Sequence, residues 1–284
     1  MRTYVCIPTL NAGELWKQLF ASLKAQTVQP SEVIVLDSSS DDGTAELAAQ
    51  DGCRVVSVSR AEFRHGGTRQ RGAELAEDAD VVIFLTQDSI LADANALSQL
   101  VAAFQDESIG AAYGRQLPRL SAHPIEAHAR LFNYPLVSNI RSKESATGMG
   151  FKAIFFSNSF GAYRKVALEQ AGGFPRESNF GEDTVVAARL LQIGWRIAYV
   201  AEAEVYHSHA HNLREEYQRY YRIGQLHGRE RSLLRAFGTA SGEGRKFVLS
   251  EIHYLSRHAP WMIPEALIRN GLKYLGYKRG IRNF

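Results

Sequence analysis

Residues 81–89, Val81-Val82-Ile83-Phe84-Leu85-Thr86-Gln87-Asp88-Ser89, constrain the fold of this chain more than any other stretch. Five apolar residues, β-branched or large, pass without alternation into polar residues and a carboxylate. Such a run reads as a strand buried on both faces, which is the signature of a parallel sheet covered by helices on each side. In open sheets of that kind ligands bind beyond the carboxyl ends of the strands. Asp88 therefore stands where a carboxylate can hold a metal or a ligand, although taken alone it reads better as a turn or cap aspartate helped by Ser89.

The rest of the first half repeats the pattern. Thr3 to Ile7 predicts a buried strand ending at Pro8-Thr9-Leu10-Asn11, and Val33 to Leu36 a second ending at Asp37 and the turn Ser38 to Thr44. Arg54 to Val58 gives a third. Helices are expected between them: Glu14 to Gln26, with Trp16, Leu19, Phe20 and Leu23 on one stripe, then Ala45 to Gln50, and a helix opened by Gly66-Gly67-Thr68-Arg69 that runs to about Glu77. Glycines at a helix start let backbone N–H groups approach an anion, and Arg69 adds a guanidinium. The alternation argues for a doubly wound, mostly parallel α/β sheet.

Beyond Gly110 the pattern loosens. Ala111 to Arg115 reads as a strand and Ile125 to Phe132 as a helix, while Ser138 to Gly150 reads as a mobile loop over a site. Phe155 to Tyr163 alternates like a strand crossing a polar site. Gly172-Gly173-Phe174 is a turn, and Gly181-Glu182-Asp183 leads into a helix. Val205-Tyr206-His207-Ser208-His209 looks like strand, which with His211 would put alternate histidines on one face.

Charge divides the chain. The net charge of +3 conceals 14 Lys/Arg against 6 Asp/Glu from Asn212 onward, where the sequence turns helical and aromatic. After Glu265 there is no acid, while Arg269, Lys273, Lys278, Arg279 and Arg282 alternate with aliphatic and aromatic residues. This basic tail suits the surface of an anionic membrane, ahead of the alternative of a helix packed on its own protein. No apolar stretch approaches the roughly 20 residues of a spanning helix. Two distant cysteines, Cys6 and Cys53, fit reduced structural thiols, and no leader sequence is recognisable at Met1. Nucleic-acid binding has no recognition motif to support it.

Pro8-Thr9-Leu10-Asn11, Asp37 with Ser40 to Thr44, Asp88 at a strand end, and Gly181-Glu182-Asp183 occur in an order that resembles family 2 inverting glycosyltransferases of the GT-A fold, over about residues 1–210. The runs Phe63 to Arg69, Leu85 to Asp88 and Val205 to His209 resemble more narrowly the bacterial rhamnosyltransferases that use dTDP-L-rhamnose. The resemblance implies a catalytic domain over 1–210, with a nucleotide-sugar half (1–115) and an acceptor half (116–210), and a basic helical extension over 211–284. It implies nucleotide contacts at Pro8, Thr9, Asn11, Asp37, Asp41, Arg69 and Gln87. Mg²⁺ or Mn²⁺ is implied at Asp88 and His207, Thr86 standing where the first Asp of the family's Asp-x-Asp would be. Asp183 is implied as general base and Glu182 as the residue that orients or binds the acceptor, the helix N-terminus keeping the base ionised. The acceptor would be a saccharide or lipid-linked saccharide of a cell-surface glycan, met at the inner face of the bacterial cytoplasmic membrane. A UDP-sugar donor, a nucleotidyltransferase and an inactive binding protein are the other readings.

Overall fold

The structure, a computed structural model, describes residues 1–208, 211–238 and 241–284. The chain opens with β1 (Thr3–Thr9), α1 (Gly13–Lys24), β2 (Glu32–Asp37), α2 (Thr44–Gln50), β3 (Arg54–Ser57), α3 (His65–Leu75) and β4 (Val81–Leu85). It continues through β5 (Ile90–Leu91), α4 (Ala96–Ala102), β6 (Ile109–Leu117), α5 (Pro124–Asn133), β7 (Asn139–Arg141), α6 (Lys143–Met149), β8 (Phe160–Arg164), α7 (Lys165–Gln170), α8 (Glu182–Gln192) and β9 (Arg196–Tyr206). Four helices follow: α9 (Leu213–Arg229), α10 (Arg231–Leu234), α11 (Ser241–His258) and α12 (Ile263–Arg282).

One sheet runs in the order β3-β2-β1-β4-β8-β6-β9-β5, with β7 also on β9. β1 to β4 are mutually parallel, β8 is inserted antiparallel between β4 and β6, and β9 is parallel to β6. Six of the nine strands among the described residues thus point the same way, as expected of a mostly parallel sheet. Their carboxyl ends, at Thr9, Asp37, Ser57, Leu85, Leu117 and Tyr206, lie along one edge. Because β8 runs the other way, its leading residues Ser157 to Ser159 arrive at that same edge.

Alternation of side chains builds a core on each face. Tyr4, Cys6, Val82 and Phe84 face one core, with Phe174 and Val186. Val5, Ile7, Val81, Ile83 and Leu85 face the other, with Trp16, Leu19 and Leu97. Cys6 and Cys53 are free and buried, and burial pushes both thiols up.

Three local expectations need correction. Residues 138–150 are not an open loop: they form β7, paired to β9, and α6, whose Ser142 and Ser145 cap one another. Arg141 anchors the segment, its Nη1 donating to the carbonyls of Lys152, Ala153 and Phe155 at 2.9, 3.1 and 2.8 Å while the guanidinium lies over Tyr113. The strand expected over 155–163 is only β8, preceded by a 3-10 turn at Gly150–Ile154. β9 ends at Tyr206, so His207 follows the strand and His211 precedes α9; His209 lies outside the described residues.

The C-terminal helices pack on the rest. α9 starts with a reciprocal cap, Asn212 accepting from Glu215 N while Glu215 accepts from Asn212 N. It crosses α12 closely: a Cβ on Gly276 would lie 2.5 Å from Tyr217 O, and Gly224 and Gly280 are equally tight. α11 lies against α5, where His128 meets Phe247 and Tyr254. Arg269 and Lys273 do not face outward as expected of a basic tail. Arg269 pairs with Glu265 at 2.7 Å and donates to His211 O, and Lys273 lies 3.4 Å from Glu216.

Candidate active site

The nucleotide motifs meet at the ends of β1 and β2. Pro8 lies in β1 opposite Leu36, and Thr9 opposite Asp37. The buried Asp37 carboxylate accepts from Thr9 Oγ1 (2.9 Å), Ser40 N (2.8 Å) and Ser40 Oγ (2.6 Å). A carboxylate has about four acceptor positions, so one further donor can be accommodated. Asn11, in the left-handed region at φ 49°, exchanges two hydrogen bonds with Asp41: its amide donates to the carboxylate at 2.9 Å and its oxygen accepts from Asp41 N at 3.0 Å. Ser39 is also left-handed, at φ 60°. Two non-glycine residues held there mark a turn fixed by its surroundings. Gln87 bridges this turn to the end of β4, accepting from Leu10 N (2.7 Å) and donating to Leu10 O (3.1 Å).

Asp88 and His207 come together from β4 and β9, Asp88 Oδ1 lying 3.4 Å from His207 Nε2. Gln116, at the end of β6, sets the ring: its amide nitrogen donates to Ser157 Oγ at 2.7 Å, and its oxygen lies 3.0 Å from His207 Nδ1, which therefore carries the proton. Burial, the largest effect, holds the imidazole below its usual pKa, against the opposing pull of the Asp88 carboxylate. Nε2 then presents a lone pair toward a carboxylate oxygen, with Ser159 Oγ also 3.4 Å away. Two electron-pair donors facing each other suit a cation between them, and a neutral imidazole fixed through its other nitrogen is a good ligand. No group of three His, Cys, Asp or Glu that could hold a metal converges among the described residues. Asp88 and His207 are the described residues that would hold a divalent ion, and an ion such as Mg²⁺ would need further oxygen ligands from outside the protein. Thr86, in place of a second aspartate, bonds instead to Ser89 Oγ at 2.7 Å.

Glu182 and Asp183 begin α8 after Gly181, which caps it at φ 72°. Glu182 is buried, and its Oε1 accepts from Arg69 Nη1 at 2.6 Å and from Asn158 Nδ2 at 3.3 Å. Asn158 in turn accepts from Tyr163 OH at 2.8 Å. Asp183 has a lighter attachment, Oδ1 accepting from Thr184 N at 2.7 Å. Burial and the neighbouring Glu182 push the Asp183 carboxyl up to about 7. This corrects the expectation that the helix N-terminus keeps it readily ionised: desolvation and a like charge outweigh the dipole. Arg69 is buried against Glu182. The glycines beside it do not leave an open anion cradle either, since Gly66 N donates to Ser178 O at 2.9 Å and a Cβ there would overlap the Pro175 carbonyl.

Segment 157–159 joins the two clusters. Ser157 and Ser159 reach Gln116 and His207, and Asn158 between them reaches Glu182. The alternation of this run hinted at a polar site, but sequence reasoning assigned no role to Asn158. It also missed Gln116, Arg119 and Arg130. Arg119 donates from Nη2 to Asp88 O at 2.7 Å and lies 3.9 Å from its carboxylate. Arg130, on α5, is close enough to Asp88 to feel its charge, and burial lowers its pKa. The Nε atoms of Arg119 and Arg130 are both buried without a hydrogen-bond partner. Nothing in their spacing relates them to Asp88.

Comparison with known proteins bears on the family and the fold. The glycosyl transferase family 2 model matches residues 4–172, which includes β1 to β8 and stops short of Asp183. The chain is 45% identical over 275 residues to the O-antigen chain rhamnosyltransferase WbaN of Salmonella anatum, covering 96% of this chain and 87% of the relative. It is 45% identical over 281 residues to the O-antigen chain rhamnosyltransferase RfbN of Salmonella typhimurium, covering 99% and 90%. Among solved structures, the mannosyltransferase PcManGT from Pyrobaculum calidifontis in complex with GDP-Man and Mn²⁺ superposes with a TM-score of 0.59 at 19% identity, covering 94% of this chain and 73% of that one. That last likeness concerns the fold alone. Strand order, the ordered motifs and the match over more than half the chain agree: the chain belongs to glycosyl transferase family 2.

Proposed function

We propose that this chain transfers L-rhamnose from dTDP-L-rhamnose, with inversion, to a hydroxyl of an O-antigen or lipid-linked saccharide acceptor. The observation that carries this reading is the unequal setting of the two adjacent carboxylates at the start of α8. Glu182 is bonded to Arg69 and Asn158 and holds the turn, whereas Asp183 keeps a carboxyl whose proton affinity suits a base working near neutral pH. The rhamnosyl donor rests on the two relatives named O-antigen chain rhamnosyltransferase.

In this reading Thr9, Asn11, Asp37 and Asp41 receive the nucleoside at the ends of β1 and β2, with Pro8 and Gln87 shaping the turn. Asp183 takes the proton from the acceptor hydroxyl as its oxygen attacks the anomeric carbon. Negative charge gathers on the departing diphosphate, and Arg119 and Arg130 are the guanidiniums beside Asp88 that can accept it. Mg²⁺ or Mn²⁺ held by Asp88 and His207 would supply further neutralisation of that charge. No described helix is long and apolar enough to cross a membrane. We place the enzyme peripherally on the inner face of the bacterial cytoplasmic membrane, through the C-terminal helices.

The test combines binding and turnover. Thermal shifts with dTDP, UDP and GDP, each with and without Mn²⁺, should be largest for dTDP with metal, because a ligand of the native state raises its melting temperature. Asp183→Asn should keep that shift and lose transfer by a factor of about 10²–10⁴. Undiminished transfer by the variant would refute the base, and a shift with UDP alone would change the donor.

A further inference from the structure

A cavity of about 420 Å³ opens beside the turn that carries Asp183, between the start of α3, the loop 177–180 and α9. Its cations are Arg222 and Arg229 on α9, facing the His65 imidazole at the start of α3, whose pKa burial and Arg69 push down to about 4 and so keep it neutral; Glu177 is the one acid in its lining, and Phe63, Phe180 and Leu226 supply apolar wall. Both arginines are exposed to it, and no described carboxylate pairs with either. None of the nucleotide residues Thr9, Asn11, Asp37 or Asp41, nor Asp88, His207 or Asp183 itself, lines it. The cavity is nonetheless joined to the chemistry. Leu226 sits so close to Gly181 that a Cβ on that glycine would overlap its side chain, and Phe180 lies under the Arg219 guanidinium at 5.0 Å. Its floor is fixed by the bond from Gly66 N to Ser178 O.

Two guanidiniums about two turns apart on one helix, facing an imidazole across a partly apolar cavity, match a phosphate or diphosphate better than a neutral sugar, because such donors recognise phosphate through paired N–H groups. A second phosphate-binding place in a transferase whose donor diphosphate is bound elsewhere belongs to the acceptor. We infer that the Arg222–Arg229 cavity binds a phosphate group carried by the acceptor, holding its hydroxyl at Asp183. The assignment rests on the glycosyltransferase reading given above. A lipid-linked saccharide diphosphate and a soluble sugar phosphate offer the same chemistry here.

The test uses the full chain saturated with dTDP and Mn²⁺, so that the donor's diphosphate place is filled, and titrates inorganic pyrophosphate and farnesyl diphosphate by calorimetry. Both should bind the wild type, and R222A/R229A should weaken both at least tenfold while the dTDP affinity stays unchanged. R222K/R229K, which keeps the charge, should recover part of the loss. Tighter binding of farnesyl diphosphate than of pyrophosphate assigns the phosphate to a lipid-linked acceptor; equal binding assigns it to a soluble one. Equal affinity in wild type and R222A/R229A overturns the inference, as does pyrophosphate binding that vanishes once dTDP is present. Failure of dTDP itself to bind either protein strikes instead at the transferase reading beneath it.

Discussion

A carboxylate in the first turn of a helix ordinarily ionises easily, because the helix N-terminus is positive. Asp183 departs from that rule through its neighbours: burial and the adjacent Glu182 raise its pKa to about 7, against an unfolded value near 3.9. The folded state therefore binds more protons than the unfolded one between about pH 4 and 7, and the stability due to this group is lost as pH rises through that window. Asp183→Asn removes the titration while keeping the shape. The variant should match the wild type in melting temperature at about pH 4 and exceed it by a margin that grows up to about pH 7 and then levels off, roughly 2–4 °C for each kcal/mol of that cost in a chain of this size. Melting curves across this range check it; a difference independent of pH would mean that Asp183 is not held against ionisation. The stored cost is that of a base kept poised in a half-buried site beside a buried carboxylate.

At the scale of elements, close backbone approach decides what packs where. Gly276 of α12 lies against Tyr217 O of α9, whereas Gly271, on the same helix, has nothing within 4 Å of a Cβ position. The same substitution should then act in opposite directions. Gly276→Ala should destabilise by about 1–3 kcal/mol through overpacking, and Gly271→Ala should stabilise by about 0.5–1 kcal/mol through lost chain entropy. Urea midpoints of the two variants measure this, and equal effects would disprove the tight crossing. Such pairs also explain what could be read in advance. β1, β2 and β4 were legible because each is a continuous apolar run ended by a polar turn, a property of adjacent residues. The ends of those strands brought Thr9, Asp37 and Asp88 with them. The antiparallel insertion of β8, the order of residues 138–150 and the setting of His207 by Gln116 were not legible. Each depends on partners far away in sequence: β8 on β4 and β6, Arg141 on the carbonyls of 152–155, Gln116 on residues 157 and 207. The high pKa of Asp183 was hidden for the same reason, since burial is not written in local spacing.

For the molecule as a whole, the excess of basic residues after Asn212 resolves into two populations. Arg269 and Lys273 neutralise Glu216 and Glu265 inside the helical packing, while Lys278, Arg279 and Arg282 are exposed. On α12 the inward positions Ala266, Lys273, Gly276 and Gly280 are buried. The opposite side exposes Leu267, Ile268, Tyr274 and Leu275, each at least half accessible, and Trp261 just before the helix is 73% exposed. Separations of seven residues, about two turns, put Leu267 over Tyr274 and Ile268 over Leu275 on one stripe that continues into Lys278 and Arg282. A stripe that is apolar for two turns and basic at its end is the pattern of a helix lying in the headgroup region of an anionic bilayer. Each basic residue near such a surface contributes about 1 kcal/mol, so the three together are worth on the order of a hundredfold in binding. The chain should float with vesicles containing phosphatidylglycerol, bind vesicles of pure phosphatidylcholine far less, and dissociate as salt shortens the range of the attraction. Leu267→Ser with Leu275→Ser should weaken flotation at low salt, since each removes about 1.5–3 kcal/mol of apolar burial, without moving the melting temperature, because both side chains already face water. Flotation that ignores lipid charge, or a double variant that binds as well as the wild type, would leave this face without a membrane role and return the basic stripe to the status of a solvated surface.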